Sequence, residues 1–114
     1  MKEDIKYLHH IIESIRYVEQ FVQGVTPKEF LSNVEKQYAV VRGLEIIGEA
    51  VKQLSPVLKS RQPSITWRAI AGTRDVLIHS YFSVDLVLVW NIVQEDLPKL
   101  KEVALAILKE EKHY

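Results

Sequence analysis

The first part of the chain alternates apolar and polar positions with a helical period. Apolar residues recur at spacings of three and four, at Ile5, Leu8, Ile11, Ile12, Ile15, Val18 and Val22. Charged and polar residues fill most of the positions between them. This spacing puts the apolar side chains on one face of an α-helix, and it predicts an amphipathic helix over about residues 3–23 that ends at Gly24.

Two helix starts follow within a few residues of each other. Thr26-Pro27-Lys28-Glu29 has the residues of a capping box with proline at the first helical position, and it predicts a short turn of helix. A long helix is expected over about 33–54, with a core face of Tyr38, Val41, Leu44, Ile47, Val51 and Leu54. Gly43 and Gly48 lie inside it. Because glycine costs a helix roughly 1 kcal/mol relative to alanine, they suggest the close approach of another backbone.

The long helix should end at Ser55-Pro56, because the residue before a proline avoids the helical conformation. Residues 56–65 look like a loop that could include one helical turn. A short helix is predicted over 66–71, with Gly72 interrupting it, and a further helix over 73–81.

Residues 84–93 alternate as in a strand. A lone strand would have no partner, so we predict a helix here that starts at Ser83 or Asp85. Asp96-Leu97-Pro98 marks a new start or a kink, and a last amphipathic stretch covers 97–108. The predicted fold class is all-α, a bundle of four main helices with short extra segments.

Composition narrows the class of protein. A chain of 114 residues is expected to form one domain over 1–114. The absence of cysteine excludes disulfides, thiolate metal sites and cysteine catalysis. Fifteen basic and fifteen acidic residues cancel, so binding to nucleic acid would need a local patch. With a charged start and no long apolar segment, we expect a cytoplasmic protein with neither a membrane nor DNA as partner.

Two groups of polar residues are weak candidates for a metal site. His9 and Glu13 lie four apart on the first helix, but two ligands do not make a site. Glu45 and Glu49, with Arg42 just before them, could bind a metal or perform acid–base chemistry. A helical di-metal site would need repeated Glu-x-x-His on other helices, which this chain lacks. An ion-paired helix face near an interface is the preferred interpretation, and no metal is expected.

Residues 74–81 hold a denser set of functional groups. Arg74, Asp75, His79 and Tyr81 supply a guanidinium, a carboxylate, an imidazole and a phenol. On an ideal helix Arg74 and Tyr81 lie nearly in line, about 10 Å apart along the axis. Asp75 and His79 are four residues apart, so Asp75 could accept a hydrogen bond from the imidazole and select its tautomer.

This set of groups suits phosphate chemistry. A guanidinium binds phosphate through two donors, and an imidazole transfers protons near neutral pH. RNA brings its own nucleophile, the 2′-hydroxyl. One chain has a single histidine here, whereas a symmetric dimer would place two His79 and two Arg74 side chains around one cleft. From the residues alone, a helix with a hydrogen-bonded histidine and a surface arginine remains the alternative.

The spacing Arg74-x4-His79-x-Tyr81 resembles the R-x4-H-x-Y motif of the HEPN superfamily, specifically its HepT-like toxin branch. Other landmarks of that branch occur in the same order, at 7–15, 44–50, 67–72, 89–90 and 96–98. The resemblance extends over most of the chain, from about residue 5 to residue 108.

The resemblance implies an antiparallel four-to-five-helix bundle that forms a homodimer, with the motif lining a cleft between subunits. It also implies a toxin that is a metal-independent RNase without a cofactor. Carried over by position, Arg74 would hold the scissile phosphate and His79 would transfer protons. Tyr81 would accept AMP from ATP, transferred by a cognate MntA-like nucleotidyltransferase antitoxin that thereby silences the toxin.

Asp75 departs from the branch, in which asparagine is frequent at this position. Its negative charge beside a phosphate site weakens the case for RNA binding, although it could support catalysis by orienting His79. Two other interpretations therefore stay open. The chain could be a non-catalytic binding partner of a nucleotidyltransferase that modifies Tyr81, or a structural dimer in which Arg74 and His79 stabilise the interface.

Overall fold

The computed structural model describes residues 2–72 and 85–111, and every regular element within those ranges is helical. The labelled helices are α1 (Lys2–Val22), α2 (Pro27–Ser32), α3 (Val34–Gln53), α4 (Pro56–Ser60), α5 (Leu86–Asn91) and α6 (Leu97–Glu110). Residues 67–72 are also helical, and a π-helical turn joins α5 to α6. For the part of the chain described, the all-α prediction is confirmed, and none of these helices is both long and apolar enough to cross a membrane.

The predicted helix boundaries near residue 26 follow from local hydrogen bonds. Gly24, with φ of 71°, adopts the left-handed conformation that favours glycine just after a helix. The Thr26 hydroxyl accepts from the Glu29 N–H at 3.1 Å, and the Glu29 carboxylate accepts from the Thr26 N–H at 3.3 Å. The predicted capping box is confirmed. Asn33 then caps α3 by accepting from the Lys36 N–H at 3.0 Å.

Helices α1 and α3 form an antiparallel pair. The Ser14 hydroxyl donates to the Gly43 carbonyl at 3.1 Å, and Lys36 Nζ donates to the Phe21 carbonyl at 2.9 Å. Partner numbers rise on one helix as they fall on the other, so the helices run in opposite directions. A Cβ atom added to Gly43 would overlap the Val18 side chain. Gly43 is thus a site of close approach, but the prediction of another backbone there was wrong, because the side chain of Val18 makes the approach.

The buried face of α3 is mostly the predicted one. The predicted residues Leu44, Ile47, Val51 and Leu54 are buried and Val41 is half-buried, but Tyr38 is 76% exposed and Val40 is buried in addition. The prediction for Tyr38 was wrong because three-residue steps along a helix each fall about 60° short of a full turn. A face extrapolated by such steps from Leu44 back to residue 38 drifts out of the core.

The end of α3 is tied to the start of α1 by a buried carboxylate. Asp4 is 3% exposed, and its two oxygens accept from the Ser55 N–H at 2.7 Å and the Ser55 hydroxyl at 2.6 Å. The Ser55 hydroxyl in turn accepts from the Leu58 N–H, which caps α4. The predicted end of the long helix at Ser55 is confirmed, and Asp4 anchors that junction.

The last part of the described chain closes the bundle against α1 and α2. The Trp90 ring packs on Phe30 of α2, with ring centroids 5.3 Å apart. The Leu97 N–H donates to the Ile92 carbonyl five residues earlier, which makes a π-helical turn directly before Pro98. The irregularity predicted at 96–98 is thus a widened turn, and α6 continues from it to contact α1.

Candidate functional site

The motif residues lie outside the described part of the chain. Arg74, Asp75, His79 and Tyr81 all fall between residues 72 and 85. Their distances to one another and to any second subunit therefore stay predictions. The described residues on both sides of this segment show the surroundings of its two ends.

Both flanks of the segment line one cleft beside α3. Before it, Ala69 and Ile70 line a cleft of about 200 Å³, and after it Leu88 lines the same cleft. Leu44 and Ile47 of α3 form another wall. The described parts of the chain on either side of the motif thus border the same cleft as the middle of α3.

Two hydrogen-bond arrangements position these flanks. Trp67 is buried, and its Nε1 donates to the carbonyls of Lys59 at 3.2 Å and Gln62 at 3.1 Å. On the other side, the Asp85 carboxylate accepts from the Leu88 N–H at 3.0 Å and caps α5. The alternative start of this helix at Asp85 is confirmed. The hydrogen bonds of Trp67 and the N-cap at Asp85 therefore fix the helical residues before and after the segment that contains the motif.

Glu45 and Glu49 of α3, the weak candidates for metal ligands, line an open groove. Arg42 donates to Glu45 at 3.3 Å, and Glu45 and Glu49 share a cavity of about 250 Å³ with Tyr7 and His10 of α1. The predicted ion pair on this face is confirmed. Since the Arg42 side chain is 71% exposed, the pair contributes little to stability.

Sequence reasoning missed that His10 shares this groove with Glu45 and Glu49. The neighbouring pair of His9 and Glu13 is exposed on α1, as expected for a solvated surface. The described residues contain no group of three histidine, aspartate or glutamate side chains placed to hold a metal ion. The His10 ring instead packs edge-on against Tyr7, with centroids 5.9 Å apart. No periodicity along one helix signals that side chains of α1 and α3 line the same groove.

The described architecture and the sequence of the intervening segment define a class of protein. An all-α domain in which an Arg-x4-His-x-Tyr segment lies between two helical flanks is consistent with a HEPN-like fold. The family model described as "Ribonuclease HepT-like" matches residues 11–107, a range that includes the motif. The chain belongs to the HepT-like ribonuclease family.

Several archaeal proteins are similar to the chain over most of its length. A protein named "Probable ribonuclease HepT" from Thermococcus cleftensis is 45% identical over 95 residues, which cover 83% of this chain and 86% of that protein. A "Putative RNase" from Methanocaldococcus jannaschii is 41% identical over 102 residues, 89% of this chain and 94% of the relative.

A longer relative from Methanocaldococcus jannaschii is named "Gamma-glutamylcyclotransferase and putative RNase". It is 44% identical over 111 residues, which cover 96% of this chain and 50% of that protein. The chain thus spans half the length of this relative. No solved structure gives a significant match.

Proposed function

We propose that the chain is the toxin of a toxin–antitoxin pair, a metal-independent endoribonuclease whose active site forms at a homodimer interface. Arg74 and His79 are its catalytic residues, and Asp75 supports them by orienting His79. Tyr81 is the acceptor of AMP from a nucleotidyltransferase antitoxin. The observation that supports this most directly is the Arg74-x4-His79-x-Tyr81 spacing inside the range that matches the ribonuclease family.

The proposed reaction uses the 2′-hydroxyl of RNA as nucleophile. The 2′-oxygen attacks the adjacent phosphorus while the bond to the 5′-oxygen breaks, which leaves a 2′,3′-cyclic phosphate and a 5′-hydroxyl. His79 of one subunit removes the 2′-proton, and His79 of the other gives a proton to the leaving oxygen. Arg74 binds the phosphate and stabilises the charge that develops on it.

The proposed silencing step modifies the same helix. The Tyr81 phenolic oxygen attacks the α-phosphorus of ATP, pyrophosphate leaves, and the phenolic proton is lost. The product adds a bulky nucleotide with about one negative charge. On an ideal helix Tyr81 lies two turns from Arg74 on the same face, so the added phosphate can pair with that guanidinium and exclude RNA by size and charge.

The test is RNA cleavage by purified unmodified protein in the presence of a chelator. His79→Ala and Arg74→Ala should each lose at least about 100-fold in rate, the usual contribution of one acid–base or charge-stabilising group. Matched controls are His10→Ala and Arg16→Ala, which remove the same side-chain types from exposed positions on α1. Equal cleavage by all the variants would remove Arg74 and His79 from the mechanism.

A second function is favoured by Asp75 and by the net charge of zero, both of which oppose binding of a polyanion. In this case the chain is a non-catalytic binding partner and modification substrate of the nucleotidyltransferase. Cleavage would then be absent from the unmodified protein, while co-purification with the nucleotidyltransferase and AMP transfer would remain.

A further inference from the structure

A basic groove lies next to the segment that contains the motif. It has a volume of about 580 Å³, and its lining contains the cations Lys52, Lys59 and Arg68 together with Pro56, Trp67, Ala71 and Gly72. Its cations come from three separate elements, the end of α3, α4 and the helical residues 67–72. None of its described lining residues is acidic. Three cations thus meet on one concave surface of a chain whose total charge is zero.

The groove has a fixed floor and an open rim. Trp67 is 8% exposed, and its two hydrogen bonds to backbone carbonyls of the α4 region hold the helical residues 67–72 against α4. At the other end, a Cβ atom placed on Gly72 would meet no atom of the described residues within 4 Å. Gly72 is half-buried, so part of its surface is exposed at the rim of the groove.

The rim of this groove is close in the chain to the proposed phosphate-binding residue. Only two peptide units separate Gly72 from Arg74, so their Cα atoms are at most about 7.6 Å apart. An RNA strand whose phosphate is bound by Arg74 would therefore reach the basic groove within one or two nucleotides of that phosphate. This argument rests on the proposed ribonuclease function.

We propose that Lys52, Lys59 and Arg68 bind the sugar–phosphate backbone of the RNA strand that flanks the cleaved bond. Cations of this kind position a nucleic acid without reading its sequence, because phosphates are the same at every step. They would also supply the local attraction that the net charge does not provide.

An RNA strand fits this surface better than an acidic protein does. A stable protein interface has a centre of exposed aromatic and aliphatic side chains. In the described lining of the groove, the aromatic residue is Trp67, and it is buried. Every charged residue in the described lining is instead cationic, as expected for a contact with phosphates.

The test compares two variants that each remove two lysines and one arginine. The groove variant is Lys52→Gln, Lys59→Gln, Arg68→Gln, and the control is Lys28→Gln, Lys99→Gln, Arg16→Gln. The control residues are exposed and lie on α2, α6 and the middle of α1. Both sets are placed in a His79→Ala background, so that the RNA stays intact. The probe is a fluorescent single-stranded RNA of mixed sequence, titrated by anisotropy over a range of salt concentrations.

The groove variant should reduce the slope of log K against log salt by about 2, since each phosphate contact to a single strand contributes about 0.7. At about 0.1 M salt this corresponds to roughly 100-fold weaker binding. The control variant should retain the starting slope. A double variant, Lys59→Gln with Arg68→Gln, should lose about 1.4, and circular dichroism checks that all the proteins are folded.

Equal slopes for the groove and control variants would overturn the groove assignment, and so would a starting protein that does not bind the RNA. Selective loss of poly-glutamate binding with RNA binding retained would assign the groove to an acidic protein and also overturn the proposal. Cleavage is measured separately with His79 intact. Groove-dependent binding without cleavage would refute the ribonuclease function alone, whereas cleavage that needs Arg74 but not the groove cations would refute the groove alone.

Discussion

Replacing Gly43 by alanine tests the contact that sets the distance between α1 and α3. In an exposed helix this change stabilises by about 1 kcal/mol, because alanine has the higher helix propensity. At Gly43 the new methyl group would overlap the side chain of Val18, which is fully buried. A valine in a helix has one strongly preferred rotamer, so Val18 cannot rotate away at low cost.

The size of the effect follows from these two opposing terms. Overpacking a core by one carbon typically costs about 1–3 kcal/mol. Subtracting the propensity gain of about 1 kcal/mol leaves a net destabilisation of about 1 kcal/mol for Gly43→Ala. For a chain of this length that corresponds to a fall of roughly 4 °C in Tm.

A double-mutant cycle with Val18→Ala isolates the overlap. Removing the valine methyl groups makes room, so Gly43→Ala should now stabilise the protein by about 1 kcal/mol. The coupling energy between the two positions should therefore be about 2 kcal/mol, within the range seen for residues in contact. Gly72→Ala is a matched control, since Gly72 is also helical but a Cβ there meets no atom of the described residues within 4 Å.

The assay is urea unfolding followed by circular dichroism at one fixed protein concentration, because subunit association would shift apparent stability. Gly72→Ala should raise the free energy of unfolding by up to about 1 kcal/mol. If Gly43→Ala stabilises the protein in the presence of Val18, or if the effects of the two substitutions are additive, the reasoning from close approach is refuted.

Two further predictions concern the buried carboxylate and the modification site. Asp4→Ala should lower the free energy of unfolding by about 1–3 kcal/mol, because it leaves the N–H of Ser55 without its buried acceptor. Urea unfolding measures this difference. A change within error would show that water replaces the carboxylate. Incubation with the nucleotidyltransferase and ATP should add AMP increments to the intact mass of the wild type but not of Tyr81→Phe, and increments that persist in Tyr81→Phe would exclude Tyr81 as the acceptor.

Local features of this chain could be predicted from short stretches of sequence. The end of α1 near Gly24, the capping box at Thr26 and the cap at Asp85 depend on residues within three or four positions of each other. Such hydrogen bonds form in almost any tertiary context, so their residue patterns are sufficient evidence.

The core face of α3 was only partly predictable. Leu44, Ile47 and Val51 are buried as expected, but Tyr38 is exposed and Val40 occupies the core. The apolar residues of α3 extend around much of its surface. Packing against α1 therefore decided which of them became buried, and that packing depends on residues far away in sequence.

The candidate site, too, could be predicted from the sequence only in part. The Arg74-x4-His79-x-Tyr81 spacing can be recognised in the sequence because it lies within one predicted helix. The basic groove has no linear pattern, because Lys52, Lys59 and Arg68 belong to three elements.

By itself, the sequence determined where most of the described helices form, how α2 and α5 are capped and which chemical groups the motif contains, but it indicated mainly a loop where α4 forms. The tertiary structure decided which faces are buried, that Asp4 meets a serine 51 positions away, and that cations from three elements share one groove. The physical reason is the separation in sequence over which each kind of interaction acts. Backbone hydrogen bonds and helix periodicity act over a few residues, whereas contacts between elements exist only once the chain has folded back on itself.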